Sequence, residues 1–384
     1  MKNRKNTKKR RNSKNKTKKS QKSQKAQKGG VEIVHPEMVE KTAFDTFIAN
    51  SNITILPVRT GSGFIFVSTL KSDAPSVYKN IRKSLFSEKV DKIIVKLVAV
   101  SPDHHGPKKT WASIIGEKDI EKRSGFMNEC NIQREVFERT KERNNDPICP
   151  AILYSSVIEN SYEATELLQK MAAAVSHENT HTSNILNEIQ DAITNKTIPL
   201  LGVLVMEMAD DYKSLTEMYS QTDVVPDDTL VRLENMARLR ILQMAAYTGY
   251  SIQDFNTGNI LCNPNATGYY KDIPGHVIII DFGNAEKLAD DKLSAIRGFM
   301  DSGKYVAALT VFKDLVRQDG ARLDYFAIHG WLYYRFDKKA GKRGEGKSLR
   351  EPSAAQIAKY DAEIKSLIDA ENADEPPSLK KMRT

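Results

Sequence analysis

Four apolar, β-rich runs, "GFIFVSTL", "KIIVKLVAV", "AILYSSVI" and "LLGVLVMEM", all lie before residue 210. The stretch "DTLVRLENMARLRILQMAAYTGY" behind them instead places Leu230, Leu233, Ala237, Ile241 and Met244 at spacings of three and four, the period of one long amphipathic helix. This segregation constrains the fold more than any other feature. Strands that crowd into one half must pair with one another, and the helices must gather beside them, so an α+β architecture follows, with a strand-rich first part and a helical second part. Two short strand-like runs, "NILC" and "HVIIID", interrupt the helical part. Within the first part, "WASIIGEKDI" through "GFMNECNIQREVFERTKER" favours helix, with Cys130, Gln133, Val136 and Phe137 near one side.

The net charge of +9 describes the ends of the chain rather than its body. Residues 1–30 hold fourteen Lys/Arg and no acid, so the remainder is mildly acidic. Like charge at that density, with no apolar periodicity, predicts a disordered basic tail that serves as a solubilising segment, as a nuclear address through "KKRR", or for loose contact with nucleic-acid phosphates. Residues 341–384 read as a polar C-terminal extension with one helix around "SAAQIAKYDAEIKSLIDA". Cys130, Cys149 and Cys262 are too few and too scattered for a disulfide framework or a zinc site, which suits a reducing compartment. The longest apolar run worth noting, "LLGVLVM", is far shorter than the roughly 20 residues that span a bilayer, and no apolar segment follows the basic start. An intracellular protein, cytoplasmic or nuclear and without a membrane span, is the expectation.

The chemistry concentrates in "YSIQDFNTGNILCNP" and "HVIIIDFGNA". The first sets Asp254 five residues before Asn259, with strand-like residues immediately after; the second delivers Asp281 from an apolar run into a Phe-Gly turn. Mg²⁺ takes one or two protein oxygen ligands and completes its shell with water and substrate phosphates, so Asn259 and Asp281 suffice as its protein share. Asp254 is then left to accept a proton or to orient a hydroxyl.

In these two stretches the chain resembles the protein-kinase-like superfamily: "IQDFNTGN" matches that family's catalytic loop at its aspartate and asparagine, and "DFG" matches outright. The resemblance implies a bilobal protein-kinase-like fold over residues 31–340. The N-lobe would cover about 45–208, carrying a helical insertion at about 161–197, and the C-lobe about 209–340. It also implies upstream parts in a fixed order. "TGSGFIFV" supplies Gly61 and Gly63 for backbone approach to phosphates, "IIVKLVAV" supplies Lys96 to meet phosphate oxygens, and "FMNECNIQ" supplies Glu129 to hold that lysine. Glu135 on the same helix competes for that role. "VMEMADDYKSL" resembles the connection between lobes, where the backbone of Glu207 and Met208 would meet adenine. The cofactors implied are ATP and Mg²⁺, and the activity is transfer of the γ-phosphoryl to a hydroxyl on a protein or a small molecule.

The chain also departs from the family. Ile252 and Gln253 replace His-Arg before the catalytic aspartate, and Asn256 stands where protein Ser/Thr kinases commonly carry lysine, as in small-molecule kinases of the aminoglycoside and choline type. No Ala-Pro-Glu motif follows "DFGNAEKL", so the usual peptide-docking platform is reduced or absent. Lys/Asn-rich tails beside divergent kinase-like domains are also similar to proteins of large DNA viruses. Two other readings stand beside the enzyme: a nucleotide-binding scaffold without turnover, and a nucleic-acid- or virion-associated protein acting through its basic tail.

Overall fold

The computed structural model describes residues 36–57, 61, 63–75, 77, 90–103, 109–144, 146–221, 225–252, 257–315 and 353–373. The basic stretch 1–30 and Asp254 lie outside the described residues. The fold is α+β: a mainly antiparallel sheet occupies the first part and helices dominate the second.

Helix α1 (Pro36–Ala49) leads into β1 (Ser51–Ile55), β2 (Gly63–Leu70) and β3 (Lys92–Ser101), which pair antiparallel in that order. Next come β4 (Lys109–Ser113), β5 (Gly116–Lys122), helix α2 (Arg123–Asn144) and β6 (Ile152–Ile158). Helices α3 (Ser161–Ala173) and α4 (Thr180–Thr194) occupy the expected insertion, and β7 (Leu200–Glu207) closes the first part. β7 lies along the other edge of β3, from Ile93 opposite Glu207 to Val100 opposite Leu200, and β6 lies outside it. A strand covered on both faces reads as continuously apolar, which is why "KIIVKLVAV" shows little alternation. Ile93, Val95 and Leu97 face the main core, while Lys96, Val98 and Val100 share the opposite face. Phe126 and Cys130 of α2 cover that second face.

One expectation fails. "WASIIGEKDI" forms no helix; it is the β4–β5 hairpin, and α2 begins only at Arg123. Burial follows a period of two, with Lys118 and Ile120 turned inward on β5 and Trp111 paired opposite Lys118. Trp111 packs on Phe64, ring centres 5.5 Å apart, and Gly116 closes the turn at φ +116°, where most side chains are disfavoured. The apolar pair Ile114 and Ile115 lies exposed at the hairpin tip.

The second part opens with β8 (Lys213–Ser214), α5 (Leu215–Ser220) and α6 (Asp227–Thr248). Leu230, Leu233, Ala237, Ile241 and Met244 are buried on α6 as their spacing predicts, but its polar residues Asn235, Arg238, Arg240 and Gln243 are buried too. Such groups need partners inside the protein. Helix α9 (Ala354–Glu371), within the polar 341–384 stretch, supplies several of them. Glu371 pairs with Arg240 at 3.0 Å and accepts from Gln243 at 2.6 Å, Glu363 accepts from Asn235, and Tyr360 lies under Arg238. Between α6 and α9 run β9 (Tyr250–Ile252), β10 (Ile260–Asn263), β11 (His276–Ile279), β12 (Ala285–Lys287), α7 (Asp290–Asp301) and α8 (Tyr305–Leu315). β10 and β11, within "NILC" and "HVIIID", pair antiparallel and are joined by the long turn through "PNATGYYKDIPG". Among the described residues no helix is long and apolar enough to cross a membrane.

Candidate active site

Sheet alternation and helix packing bring Lys96 to Glu129. Because Lys96 shares its face with Val98 and Val100, it points towards α2, and Phe126 and Cys130 seat that helix so that Glu129 meets it. Lys96 Nζ lies 2.8 Å from Glu129 Oε1, with the two side chains only 12% and 4% exposed. Burial, the largest influence on Lys96, works against its charge. The carboxylates of Glu129 and Asp281 outweigh it and hold the ammonium above its ordinary range. Glu129, not Glu135, is therefore the partner in this structure: Glu135 pairs with Arg139 at 2.6 Å and accepts from the Tyr250 hydroxyl at 2.8 Å.

Asp281 lies two residues past the end of β11 and adopts φ +65°, a left-handed conformation that Asp and Asn tolerate better than most residues. Its Oδ1 accepts from the Gly283 N–H at 3.4 Å; Asp281 is exposed, while the adjacent Phe282 is buried. A side chain at Gly283 would sit 3.4 Å from Asp281 Oδ1 and 3.6 Å from Glu129 Oε2, so both carboxylates crowd the same turn.

Asn259 ends a single 3₁₀ turn, Thr257–Asn259, tied to α5 by the Thr216–Thr257 hydroxyl contact at 2.6 Å. Its carbonyl accepts from the Ile280 N–H at 2.9 Å, which joins this turn to the residue before Asp281. On the other side of Asp254, Ile252 of β9 pairs with Ala285 of β12. The described residues flanking Asp254 are thus both anchored to the chain on either side of Asp281. Among the described residues no group of three or more His, Cys, Asp or Glu side chains is arranged to hold a metal. Asn259 carries an amide oxygen and Asp281 a carboxylate, oxygen donors of the kind that hard cations take.

Gly63 begins β2 opposite Val98, and a Cβ there would lie 2.7 Å from the Leu97 carbonyl oxygen, so close packing on β3 alone requires glycine. Gly61 is held by its carbonyl, which accepts from the Asp119 N–H at 2.9 Å. Glu207 is buried at the end of β7; its N–H donates to the Ala151 carbonyl at 3.1 Å and its carboxylate accepts from the Ala151 N–H at 3.1 Å. An adenine contact from Glu207 would therefore not use its N–H. Met208 follows, half-buried, just past the strand.

Two features escaped the sequence reading. Glu121, half-buried on β5, adds negative potential at both Lys96 and Glu129. A buried network also backs β11, the strand that leads to Asp281: His276 Nε2 contacts Asp146 Oδ1 at 3.1 Å, and its Nδ1 lies 2.7 Å from the Tyr212 hydroxyl. Burial is the largest influence on His276 and pushes its pKa down, so the neutral ring serves, donating to Asp146 and accepting from Tyr212. Arg240 closes the network on Asp146. The three cysteines are free and buried, and burial raises the Cys130 thiol to about 12.

No protein-family model matches the chain, and no curated protein matches it. Among solved structures the chain is similar to one described as WaaP in complex with acyl carrier protein, at 12% identity and a TM-score of 0.32, covering 83% of this chain and 90% of that one.

Proposed function

We propose that the protein is an ATP-dependent phosphotransferase that moves the γ-phosphoryl group of ATP to a hydroxyl acceptor. The observation that carries the proposal is the buried Lys96–Glu129 ion pair with the Asp281 carboxylate beside it. A lysine kept charged out of water, next to an exposed carboxylate on a glycine turn, suits a polyanion bridged by a divalent cation. Asp281 and Asn259 would hold Mg²⁺, which supplies positive charge to the phosphate oxygens when bound.

Lys96 neutralises phosphate oxygens at a position fixed by Glu129. The backbone at Gly61 approaches the phosphates without a side chain in the way, Gly63 lets β2 lie close on β3 beside it, and the chain at Glu207 and Met208 borders the base. Asp254 orients the acceptor hydroxyl and takes its proton as the acceptor oxygen bonds to the γ-phosphorus and the bond to the ADP oxygen breaks. Transfer of this kind needs positioning and charge stabilisation more than covalent help from the protein, and those are the resources this set of residues offers.

The test is phosphotransfer from labelled ATP with Mg²⁺ against generic proteins, against small hydroxyl compounds and without acceptor. Transfer to one acceptor class supports the proposal and names the class. MgATP binding without transfer in any arm leaves a nucleotide-binding scaffold, and salt-sensitive nucleic-acid binding lost with residues 1–30, without ATP affinity, leaves a protein acting through its tail.

A further inference from the structure

The inserted helices reach Gly61 and Gly63 from two sides, α3 and α4 through β1 and α4 alone through the β4–β5 hairpin. On the first side, the β1 strand that feeds the turn is bonded to the insertion. Ile53 N–H donates to the Ala174 carbonyl at 3.0 Å, and Ile55 N–H donates to Thr182 Oγ1 of α4 at 3.1 Å. Beyond β1, Leu56 N–H donates to the Ile65 carbonyl at 2.8 Å, closing the two strands just before the turn.

The second side runs through the β4–β5 hairpin. β2 stops at Gly63 opposite Val98, and past that point β5 pairs parallel with β3 at Val100 and Ser101. Since β7 already occupies the other edge of Val100, β5 lies on the edge that β2 has vacated, directly beyond the glycine turn. From there the Asp119 N–H reaches the Gly61 carbonyl at 2.9 Å. The far end of the hairpin is clamped by one carboxylate of α4: Glu188 Oε1 accepts from the Ile114 N–H at 2.8 Å and Oε2 from the Ser113 hydroxyl at 3.2 Å.

We infer that the inserted helices act as a brace that sets the position of Gly61, α3 and α4 through β1 and α4 through the β4–β5 hairpin, and that Glu188 is a positioning residue for the nucleotide phosphates although it touches none of them. The nucleotide part of this inference rests on the proposed function; the mechanical part does not. Hairpin tips on a protein surface ordinarily move more than the sheet they leave. Here a charged acceptor fixes the tip with two bonds, which are stronger and more directional than neutral ones, and the fixed hairpin hands that restraint to Gly61. Binding energy that would otherwise be lost in ordering the turn is then available for phosphate contacts.

The test compares Glu188→Ala, Glu188→Gln and Ser113→Ala with the wild type in the full chain. Glu188→Ala is expected to speed amide hydrogen exchange around Gly61 and Gly63 and within β4–β5, with exchange in α6 unchanged and a melting temperature close to wild type. MgATP affinity should fall about 3- to 10-fold, with KM rising and kcat at saturating ATP kept, the loss that one or two charge-assisted hydrogen bonds permit. Glu188→Gln keeps an acceptor for Ile114 and should restore most of the wild-type behaviour, and Ser113→Ala should give a smaller effect in the same direction. Unchanged exchange at Gly61 in Glu188→Ala overturns the brace. A large fall in melting temperature with faster exchange throughout also overturns it, because Glu188 would then be a general stabiliser. If wild-type protein fails to bind MgATP, the proposed function falls, while the exchange measurement still decides whether the brace exists.

Discussion

Replacing Lys96 with Met removes the ammonium but keeps most of the side-chain volume, and it leaves Glu129 in a site where its side chain is only 4% exposed. Breaking a buried pair from one side typically costs about 3–5 kcal/mol, because the remaining charge has lost both water and partner. At about 2–4 °C per kcal/mol for a domain of some 150–250 residues, that is a fall in melting temperature of roughly 6–20 °C, the lower end suiting a longer chain. The cost should depend on pH in a definite direction. Burial is the largest influence on Glu129 and raises its pKa; Asp281 and Glu121 push the same way, and only Lys96 opposes them. Without Lys96 the folded-state pKa rises further above the unfolded value of about 4.3. A carboxyl raised in this way keeps its proton in the folded state where the unfolded chain would release it. The stability of the variant relative to wild type is therefore best retained below the unfolded pKa and is lost as pH rises through the folded one. Thermal unfolding of both proteins at pH 5 and pH 8 is the assay: the deficit of Lys96→Met should be clearly larger at pH 8, and adding Glu129→Gln should remove most of that dependence. An equal deficit at both pH values would refute the reasoning, since Glu129 would not then be the charge that Lys96 neutralises.

Two further outcomes follow from the same geometry. Asp281→Asn keeps a residue that tolerates the left-handed backbone at φ +65° while removing the negative charge, so the fold should survive and nucleotide affinity should weaken chiefly when Mg²⁺ is present; isothermal titration with ATP, with and without Mg²⁺, checks it. Arg240→Met strands the buried carboxylates of Asp146 and Glu371, so it should destabilise by about 3–5 kcal/mol and loosen α9, read as faster amide exchange along 354–371 in denaturant-free buffer.

How far the fold could be read depended on whether a segment carries its own pattern. β2, β3, β6 and β7 are continuous apolar runs and were legible, as was α6 from its spacing of three and four. The β4–β5 hairpin was not, because Trp111, Ile114 and Ile115 also fit a helical period; what decides for strand is the parallel pairing with β3 and the packing of Trp111 on Phe64. The buried network was illegible for a different reason. Asp146, Arg240, His276 and Glu371 are scattered along the chain, and a charged residue viewed alone reads as solvated; only the docking of α9 and β11 against α6 encloses them. At the site, the order of Gly-rich turn, Lys96, Glu129, Asn259 and Asp281 could be seen in the chain, and in three dimensions Lys96 lies against Glu129 with Asp281 close by. Asp119 and Glu121 share one face of a strand whose sequence also suits a helix, and a helix would not set the two on one face.

The most direct test of the central claim compares wild type with Asp254→Asn for MgATP affinity and for phosphotransfer to the acceptor class found in the screen. If Asp254 orients and deprotonates the acceptor hydroxyl, affinity should stay near wild type while turnover falls on the order of 10²-fold or more, the share that a positioned general base usually contributes. Wild-type protein that binds MgATP yet transfers phosphate no faster than Asp254→Asn, across protein and small-molecule acceptors alike, would contradict the account and leave a nucleotide-binding protein without turnover.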